Sequence, residues 1–327
     1  MPRRTTLTQQ TQIGLETTSG TSVAANKRLR SVGIDLSPEG EVRMFRPTGN
    51  KFNSIAALGK EWSSGDVEGA ATYTELVYLL SMMFGNATIT TPGGGTLSRQ
   101  WEWLLQPSAI QDPRTFTVEK GSSVRAHKAA YVFLNEFGLE FTREEINVSG
   151  AVIGQSITDG VTMTATPTDI ALIPILPTQV SVYLDPSWAT IGTTKLLSVI
   201  SANLELGDRF GTFWPIDAAV SSFKDAYETE PSAEVSLTQE ADAAGMANLT
   251  AMRAGTTQYL QIKAVGTIIE AAIAYSLILD LPVKVSEVPS LEDEDGIYGA
   301  NWTFTLVDDT AAASAGRIRL INSLTTL

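Results

Sequence analysis

Two stretches of this chain read as the same lead-in, and the internal repeat that they indicate constrains the fold more than any other feature. The segments "SGTSVAANKRLRSV" at residues 19–32 and "DPSWATIGTTKLLSV" at 185–199 are both polar and run into an apolar strand pattern. When the two are aligned, Val32 lies over Val199, which is 167 positions further along the chain. A chain that repeats its own order of elements is predicted to build two similar modules.

A second landmark falls at nearly the same spacing. Residues 72–85 have the apolar spacing of an amphipathic helix that ends at Gly85, and residues 238–255 have a weaker helical pattern that ends at Gly255. The two glycines are 170 positions apart, within three positions of the first spacing. The apolar face of the first helix consists of Tyr73, Leu76, Val77, Leu80, Met83 and Phe84.

A third landmark is displaced by insertions. Tyr131 aligns with Tyr275 at a spacing of only 144 positions, so the first copy must hold extra residues between its helix and this strand. Residues 86–113 supply them, and the second copy has its own addition at 288–300. The order of elements, rather than residue identity, supports the repeat. The alternative is that two strand-rich halves align by accident.

Outside the two helices, the patterns are those of strands. Apolar residues alternate with polar ones, as at Phe116 and Val118, in both halves. The predicted strands lie at 29–37, 65–72, 114–121, 129–142 and 146–157 in the first copy, and at 196–208, 233–240, 258–266, 274–285 and 301–307 in the second. One helix against a mostly antiparallel sheet predicts a mainly β fold with two tandem barrel or sandwich domains, each with one flanking α-helix.

The domain boundaries follow from composition. Three prolines between residues 166 and 179 mark a linker between the copies. The predicted units are an extended amino-terminal arm at 1–30, a first domain at 31–165, a proline-rich linker at 166–182, a second domain at 183–312 and a carboxy-terminal segment at 313–327.

Composition excludes several classes of function. The chain has 327 residues, of which 43% are hydrophobic, so it can bury a core. Its net charge of −13 gives no net cationic surface to hold nucleic acid by its phosphates, although nucleic acid could pass without binding. The absence of cysteine excludes disulfides and thiolate chemistry. The longest apolar run, at 267–283, is interrupted by Glu270 and Asp280, which argues against a membrane span.

No group of residues has the pattern of a catalytic, cofactor or metal site. His127 is the single histidine and has no partners in sequence for a triad or a metal site. The acidic run from Glu292 to Asp295 lacks the ligand spacing of a calcium loop, so a solvated loop is favoured over weak ion binding. Trp101 and Trp103 indicate an edge hairpin with one packed face more than a sugar platform. We therefore expect a protein that is not an enzyme.

Two long excursions, at 37–64 and 205–232, separate strands at matching places in the two copies. Loops of this length inside compact domains are usually functional or ordered by a partner, and both excursions are rich in aromatic residues. They predict a surface repeated for assembly; the alternative is that the aromatic side chains fold back on their own domain. The predicted ring or stacking interface consists of Leu15, Val23, Lys27, Arg28, Arg43, Phe45, Phe52, Leu58, Trp62, Phe210, Phe213, Trp214 and Phe223.

Several segments resemble the major tail-tube proteins of long-tailed, siphovirus-type bacteriophages. Residues 14–52 look like the opening of such proteins, 72–85 like their single helix, and 99–121 and 129–155 like their closing strands. The segment "SVYLDPSWATIGTTKLLSV" at 181–199 resembles the second lead-in of the larger, duplicated members. The match covers most of the chain, and none of its motifs is a catalytic signature.

The resemblance implies an architecture and a set of partners. Such proteins place β-sheets around a channel with the helix outside, close into rings, and use long loops and amino-terminal arms to join one ring to the next. DNA passes through the channel from capsid to host cell without specific binding. Since this chain carries two copies, three chains would supply six tube domains. A trimeric ring with pseudo-sixfold symmetry is therefore favoured over a hexamer.

The resemblance also implies a location and leaves alternatives. The chain would assemble in the host cytoplasm, reside in the virion tail, and meet tail terminator, tape-measure and baseplate proteins. The second hypothesis for the function is a sheath, capsid or decoration protein, and the third is a carbohydrate-binding β-protein. Acidic residues are expected to line the channel, because bound phosphates would stall DNA. The sequence does not indicate which residues face inward, or on which side the acidic run from Glu292 to Asp295 lies.

Overall fold

The computed structural model describes residues 6–217, 221–243, 245–287, 289, 291–294 and 296–327. Within them the chain is mainly β, as predicted, with two α-helices, α1 at Leu76–Phe84 and α2 at Ala247–Ala254. The strands are β1 Gln10–Leu15, β2 Lys27–Leu29, β3 Val32–Phe45, β4 Ile55–Ala70, β5 Thr88–Thr90, β6 Arg99–Leu104, β7 Phe116–Gly121, β8 Ala126–Phe141, β9 Ile146–Gly154, β10 Thr158–Val161, β11 Thr168–Asp169, β12 Val180–Asp185, β13 Val199–Gly207, β14 Phe210–Phe213, β15 Asp225–Glu228, β16 Ser232–Glu240, β17 Gln258–Glu270, β18 Ile273–Val285, β19 Leu291–Glu294, β20 Ile297–Leu306 and β21 Arg317–Asn322.

The same succession of antiparallel pairings occurs in both halves of the chain. In the first half, β3 pairs with β4, β4 with β9, and β9 with β8; the start of β8 then pairs with β7, and β7 with β1. In the second half, β13 pairs with β16, β16 with β20, and β20 with β18; β18 then pairs with β17, and β17 with β12. Strands β10 and β21 occupy matching places beside the early parts of β8 and β18.

The two halves are joined edge to edge. Strand β13 pairs antiparallel with the end of β8, so β3, β4, β9, β8, β13, β16 and β20 form one continuous sheet. At this junction Leu204 lies opposite Leu139, and both side chains are fully buried. Burial of one such side chain contributes about 1.5–3 kcal/mol, so the junction is held by core packing as well as by ladder hydrogen bonds.

One hydrophobic core contains side chains from both halves, including Phe116, Leu134, Leu237 and Trp302. The helix α1 lies in this core with all nine of its residues buried, although the sequence predicts only one apolar face. The chain at 170–175 crosses its amino-terminal end, where Tyr73 donates its backbone N–H to the carbonyl of Ile173. The helix ends at Gly85, whose φ of 75° explains the glycine.

The predicted free amino-terminal arm is wrong from residue 10 onward. Strand β1 pairs with β7 along its whole length, and Ile13 is fully buried. The carboxylate of Glu16 accepts hydrogen bonds from the hydroxyls of Thr115 and Thr117 and from the backbone N–H of Tyr131. Polar composition suggested an arm, but these residues fill the edge of the first-half sheet. Residues 1–5 lie outside the described residues.

The predicted linker and carboxy-terminal segment are also integrated. Ile170 and Ile175 are buried in the core, and the backbone N–H of Ile175 bonds to Ala71. Near the carboxy terminus, β21 pairs with β6 of the first half and with β18 of the second. A proline-rich composition therefore marks an irregular but packed crossing here, since proline lacks a ladder donor yet its neighbours can still be buried.

The excursion predicted at 37–64 is a long β-hairpin. Strands β3 and β4 pair from Val32 opposite Gly69 to Phe45 opposite Ile55, with one register shift between Glu41 and Val42. Beyond Leu36 the side chains on both faces are exposed, so apolar–polar alternation does not reveal these strands in sequence.

Candidate assembly edges and an acidic sheet face

One face of the continuous sheet is buried and the other is solvent-exposed and polar. Side chains alternate between the faces of a strand, so the pairing registers show which residues share a face. Neighbours across the strands on the polar face include Glu68, Ser149, Gly138, Glu205, Glu234 and Thr305. A second row on the same face consists of Asn147, Glu140, Asn203, Ser236 and Thr303.

This polar face carries strong negative charge. Its carboxylates are Asp35, Asp66, Glu68, Glu136, Glu140, Glu205, Glu234 and Glu240. Lys284, which lies opposite Thr305, adds a positive charge to the same face. The positions between the carboxylates hold serine, threonine, asparagine, glycine and alanine. Such a surface repels phosphate and offers small, uncharged side chains between its charges.

The β3–β4 hairpin extends from this sheet and carries apolar side chains into solvent. Of the predicted interface residues, Phe45, Phe52 and Leu58 lie on it and are 52%, 82% and 54% exposed. Arg43 lies beside Glu41 at 3.5 Å on the same hairpin. The other exposed apolar side chains of the hairpin are Val42, Met44 and Ile55. Clustered exposed apolar side chains of this kind make the hairpin a candidate interaction surface.

The second excursion folds back on the chain, contrary to its predicted role in assembly. Phe210 and Phe223 are buried against Tyr131 and Phe133 of β8 in a separate aromatic cluster. The Phe223 and Tyr131 rings meet edge to face at 5.2 Å. Both phenylalanines are therefore core residues of this chain, because β14 and β15 form a hairpin that covers β8. Phe213 of that hairpin remains 52% exposed.

Two tryptophans tie the second excursion to the root of the first hairpin. Trp62 and Trp214 meet edge to face with ring centroids 5.8 Å apart. The Nζ of Lys60 lies 5.0 Å from the Trp214 ring centroid, a cation–π contact. The backbone N–H of Glu61 donates to the carbonyl of Ser221 at 3.0 Å. These contacts hold the hairpin at a defined angle where it leaves the sheet.

The predicted interface residues of the amino-terminal segment lie within the first-half sheet. Leu15 is partly buried against the core, and the backbone N–H of Val23 donates to the Thr117 hydroxyl at 2.9 Å. Lys27 pairs opposite Ile13 on β1. The guanidinium of Arg28 forms an ion pair with Asp169 at 2.6 Å.

Two further buried carboxylates, Glu75 and Asp280, have structural roles that the sequence does not predict. Glu75 accepts hydrogen bonds from the backbone N–H groups of Arg30, Ser31 and Val32 at 2.7–3.1 Å, and so fixes the start of β3 against the helix. Burial raises the pKa of the Glu75 carboxyl, although these three donors oppose the shift. Nothing local in the sequence marks such a residue, since its partners are more than 40 positions away.

The second buried carboxylate is Asp280 on β18, which is inaccessible to solvent. It accepts hydrogen bonds from the guanidinium groups of Arg317 and Arg319, at 2.9 and 2.6 Å, and from the amide of Gln261 at 2.6 Å. The alternating Arg317 and Arg319 of β21 place both cations on one face, and this spacing is the signal that could have indicated the site. The cluster fastens β21 to β18.

The residues considered for chemistry are separated from one another. His127 lies at the start of β8, where burial and the nearby Lys120 lower its pKa. Trp101 and Trp103 are buried on β6, which lies between β5 and β21. Glu292 to Glu294 lie on β19, which pairs with β20, and Asp295 lies outside the described residues. Over the described ranges, no group of three or more histidine, aspartate or glutamate side chains could hold a metal ion.

No protein-family model matches the chain, and no curated protein is significantly similar to it. In the part of the chain that the structure describes, no helix is long and apolar enough to span a membrane.

Proposed function

We propose that this chain is a structural virion protein that self-assembles into the tail tube of a long-tailed bacteriophage. Each half would act as one tube-type domain, and three chains would close a ring with pseudo-sixfold symmetry. Rings would stack into a channel that conducts DNA from the capsid to the host cell. The chain would assemble in the host cytoplasm and contact tail terminator, tape-measure and baseplate proteins at the ends and in the lumen of the tube.

The observation that carries this proposal is the edge-to-edge junction between β8 and β13. Two half-sheets with the same pairing order are already joined into one sheet within the chain. In the described residues, β3 at one end of this sheet and β19 near the other pair on one edge only, with β4 and β20 respectively. Exposed strand edges favour pairing with another chain. Repetition of the internal junction between copies would give a closed ring.

The acidic polar face supports the channel. If the sheet closes with this face inward, the lumen is lined by the carboxylates of residues such as Asp66, Glu136 and Glu205. The DNA backbone carries one negative charge per phosphate, so an acidic wall disfavours adhesion during transit. The other face of the sheet is covered by the hydrophobic core, so the polar face is the one that could line a lumen.

The exposed hairpin supports stacking. Burial of Phe45, Phe52 and Leu58 against a neighbouring ring would remove apolar surface from water, at about 25 cal/mol per Å². The Trp62–Trp214 contact fixes the direction in which the hairpin leaves the sheet.

Electron microscopy of the purified protein tests the proposal. Negatively stained samples over a range of protein and salt concentrations should contain rings or tubes, and light scattering after gel filtration should show the mass of a trimer. A sample that stays monomeric at every concentration and salt condition would contradict it, as would binding of soluble glycans by such monomers.

A further inference from the structure

We propose that β3 of one copy pairs antiparallel with β19 of the next copy in a register that places Leu36 opposite Leu291 and Asp35 opposite Glu292. The inference rests on the proposed ring-forming function and specifies its interface. It uses the internal junction between β8 and β13 as a template for the junction between copies.

Strand β3 of the first half corresponds to β13 of the second half. The helices of the two halves end 170 positions apart, and the same spacing relates Val67 of β4 to Leu237 of β16. Val67 lies opposite Ile34, and Leu237 lies opposite Ala202. Two residues further along, Leu36 of β3 therefore corresponds to Leu204 of β13. The residues between them, Asp35 and Asn203, correspond as well, and both lie on the polar face.

The end of β8 in the first half corresponds to β19 in the second half. Gly69 of β4 and Gln239 of β16 are also 170 positions apart. Gly69 lies opposite Val148, and Gln239 lies opposite Ala300. Val148 then pairs with Leu139, and Ala300 pairs with Leu291. Leu139 and Leu291 thus hold equivalent places, and so do the residues that follow them.

The register of the β8–β13 junction can then be applied to β3 and β19 of two copies. Within the chain, Leu204 lies opposite Leu139, and Asn203 lies opposite Glu140. Replacing each residue by its counterpart puts Leu36 opposite Leu291, and Asp35 opposite Glu292, across two copies.

Solvent exposure at the β19 edge supports a partner strand there, whereas Leu36 at the β3 edge is already buried. Leu139 is fully buried by β13, whereas its counterpart Leu291 is 58% exposed. Tyr298, on the neighbouring strand β20, is 74% exposed. Large apolar side chains at a sheet edge that has no further strand in the described residues are expected to be covered on assembly.

The seam differs from its template in charge. The internal junction sets the neutral Asn203 against Glu140, while the seam sets Asp35 against Glu292. The groups around Asp35 in its own copy are Lys120, which forms an ion pair with it, Asp66 on β4 and His127. Like charges directly opposite across strands oppose pairing.

Cysteine cross-linking tests the register, because the chain has no cysteine of its own. A variant with Asp35→Cys and Glu292→Cys, assembled and then treated with oxidant or a short bis-maleimide, should run as covalent dimers and trimers under denaturing conditions. The matched control carries Asn203→Cys and Glu140→Cys, which face each other within one chain. It should link internally and keep the monomer mass.

The outcomes separate the register from the function. Rings in the microscope without cross-links between copies in the Asp35–Glu292 variant, while the control links, would overturn the register but leave ring formation standing. Absence of rings for the unsubstituted protein would overturn the function itself. Hydrogen exchange of the unsubstituted chain gives a second measurement: amides of residues 33–37 and 291–294 should become protected on assembly. Unchanged exchange in rings would overturn the proposal.

Discussion

At the scale of single residues, buried carboxylates act as pins between segments that are distant in sequence. Glu16, Glu75 and Asp280 each accept at least three hydrogen bonds. A carboxylate offers several acceptor sites in a small volume, so one side chain can satisfy several backbone donors that no strand reaches. These pins hold the amino-terminal segment, the start of β3 and the strand β21 in place.

Replacing Glu75 should separate its roles as acceptor and as charge. Glu75→Ala leaves the N–H groups of Arg30, Ser31 and Val32 without their partner, and each unsatisfied buried donor costs about 1–3 kcal/mol. Glu75→Gln keeps one acceptor oxygen and should lose roughly half as much. Urea unfolding followed by circular dichroism measures both; equal losses for the two variants would contradict the role of the acceptor.

Glu75 should also make stability depend on pH. Because burial raises its pKa above the usual 4.5, the folded state binds its proton more tightly than the unfolded state does. The resulting contribution to stability is complete below pH 4.5 and is lost as the pH rises through the raised value. The difference in free energy of unfolding between the parent and Glu75→Gln, measured across this range, isolates the effect. A difference that does not change with pH would exclude it.

At the scale of elements, α1 is the centre of the first-half core. Leu80 lies in the middle of the helix and is fully buried. Leu80→Asp should prevent folding, since an unpaired buried carboxylate costs several kcal/mol. Leu80→Met preserves volume and should cost less than about 1.5 kcal/mol. Soluble yield and thermal unfolding distinguish them, and a folded, stable aspartate variant would show that the packing is wrong.

The amino-terminal strand gives a second test at this scale. Deletion of residues 1–15 removes β1, with its buried Ile13 and its ladder to β7, so the melting temperature should fall by several degrees or more. Deletion of residues 1–9 stops before β1 and serves as the matched control. Equal melting temperatures for the two truncations would mean that β1 contributes nothing to the fold.

How far the sequence predicts these elements depends on which faces they bury. The alternation of Phe116 and Val118 with polar residues predicts β7, although Thr117 and Glu119 on its other face are buried as well. The sequence predicts a loop where the structure has the β3–β4 hairpin, because the outer part of the hairpin buries neither face. The polar sequence at β1 predicts an arm, because the residues of β7 that pair with it lie about 100 positions away. For the aromatic residues of the second excursion, the sequence is compatible with packing against a partner chain or against the core of the same chain. Only the structure distinguishes the two.

At the scale of the whole molecule, the acidic face arises from pairing register rather than from any local motif. Carboxylates on five strands meet on one face only because β13 joins β8 in the observed register. A shift of one residue at that junction would turn Glu205 toward the core and Leu204 toward solvent. The sequence therefore indicated an acidic chain, while the location of the charge followed from the topology.

The same scale carries a prediction about salt. Each chain bears a charge of −13, and the proposed seam sets Asp35 against Glu292, so added salt should favour ring formation by screening both effects. Glu292→Gln removes the repulsion at the seam, while Glu144→Gln, in the turn after β8, removes the same charge away from it. Relief of one such pair amounts to about 0.2–1 kcal/mol. The first variant should thus form rings at a protein concentration lower by a factor of about 1.4 to 5 in low salt. The second should differ little from the parent. Sedimentation velocity at several salt concentrations measures this; equal shifts for both variants would attribute the effect to net charge and place Glu292 away from the seam.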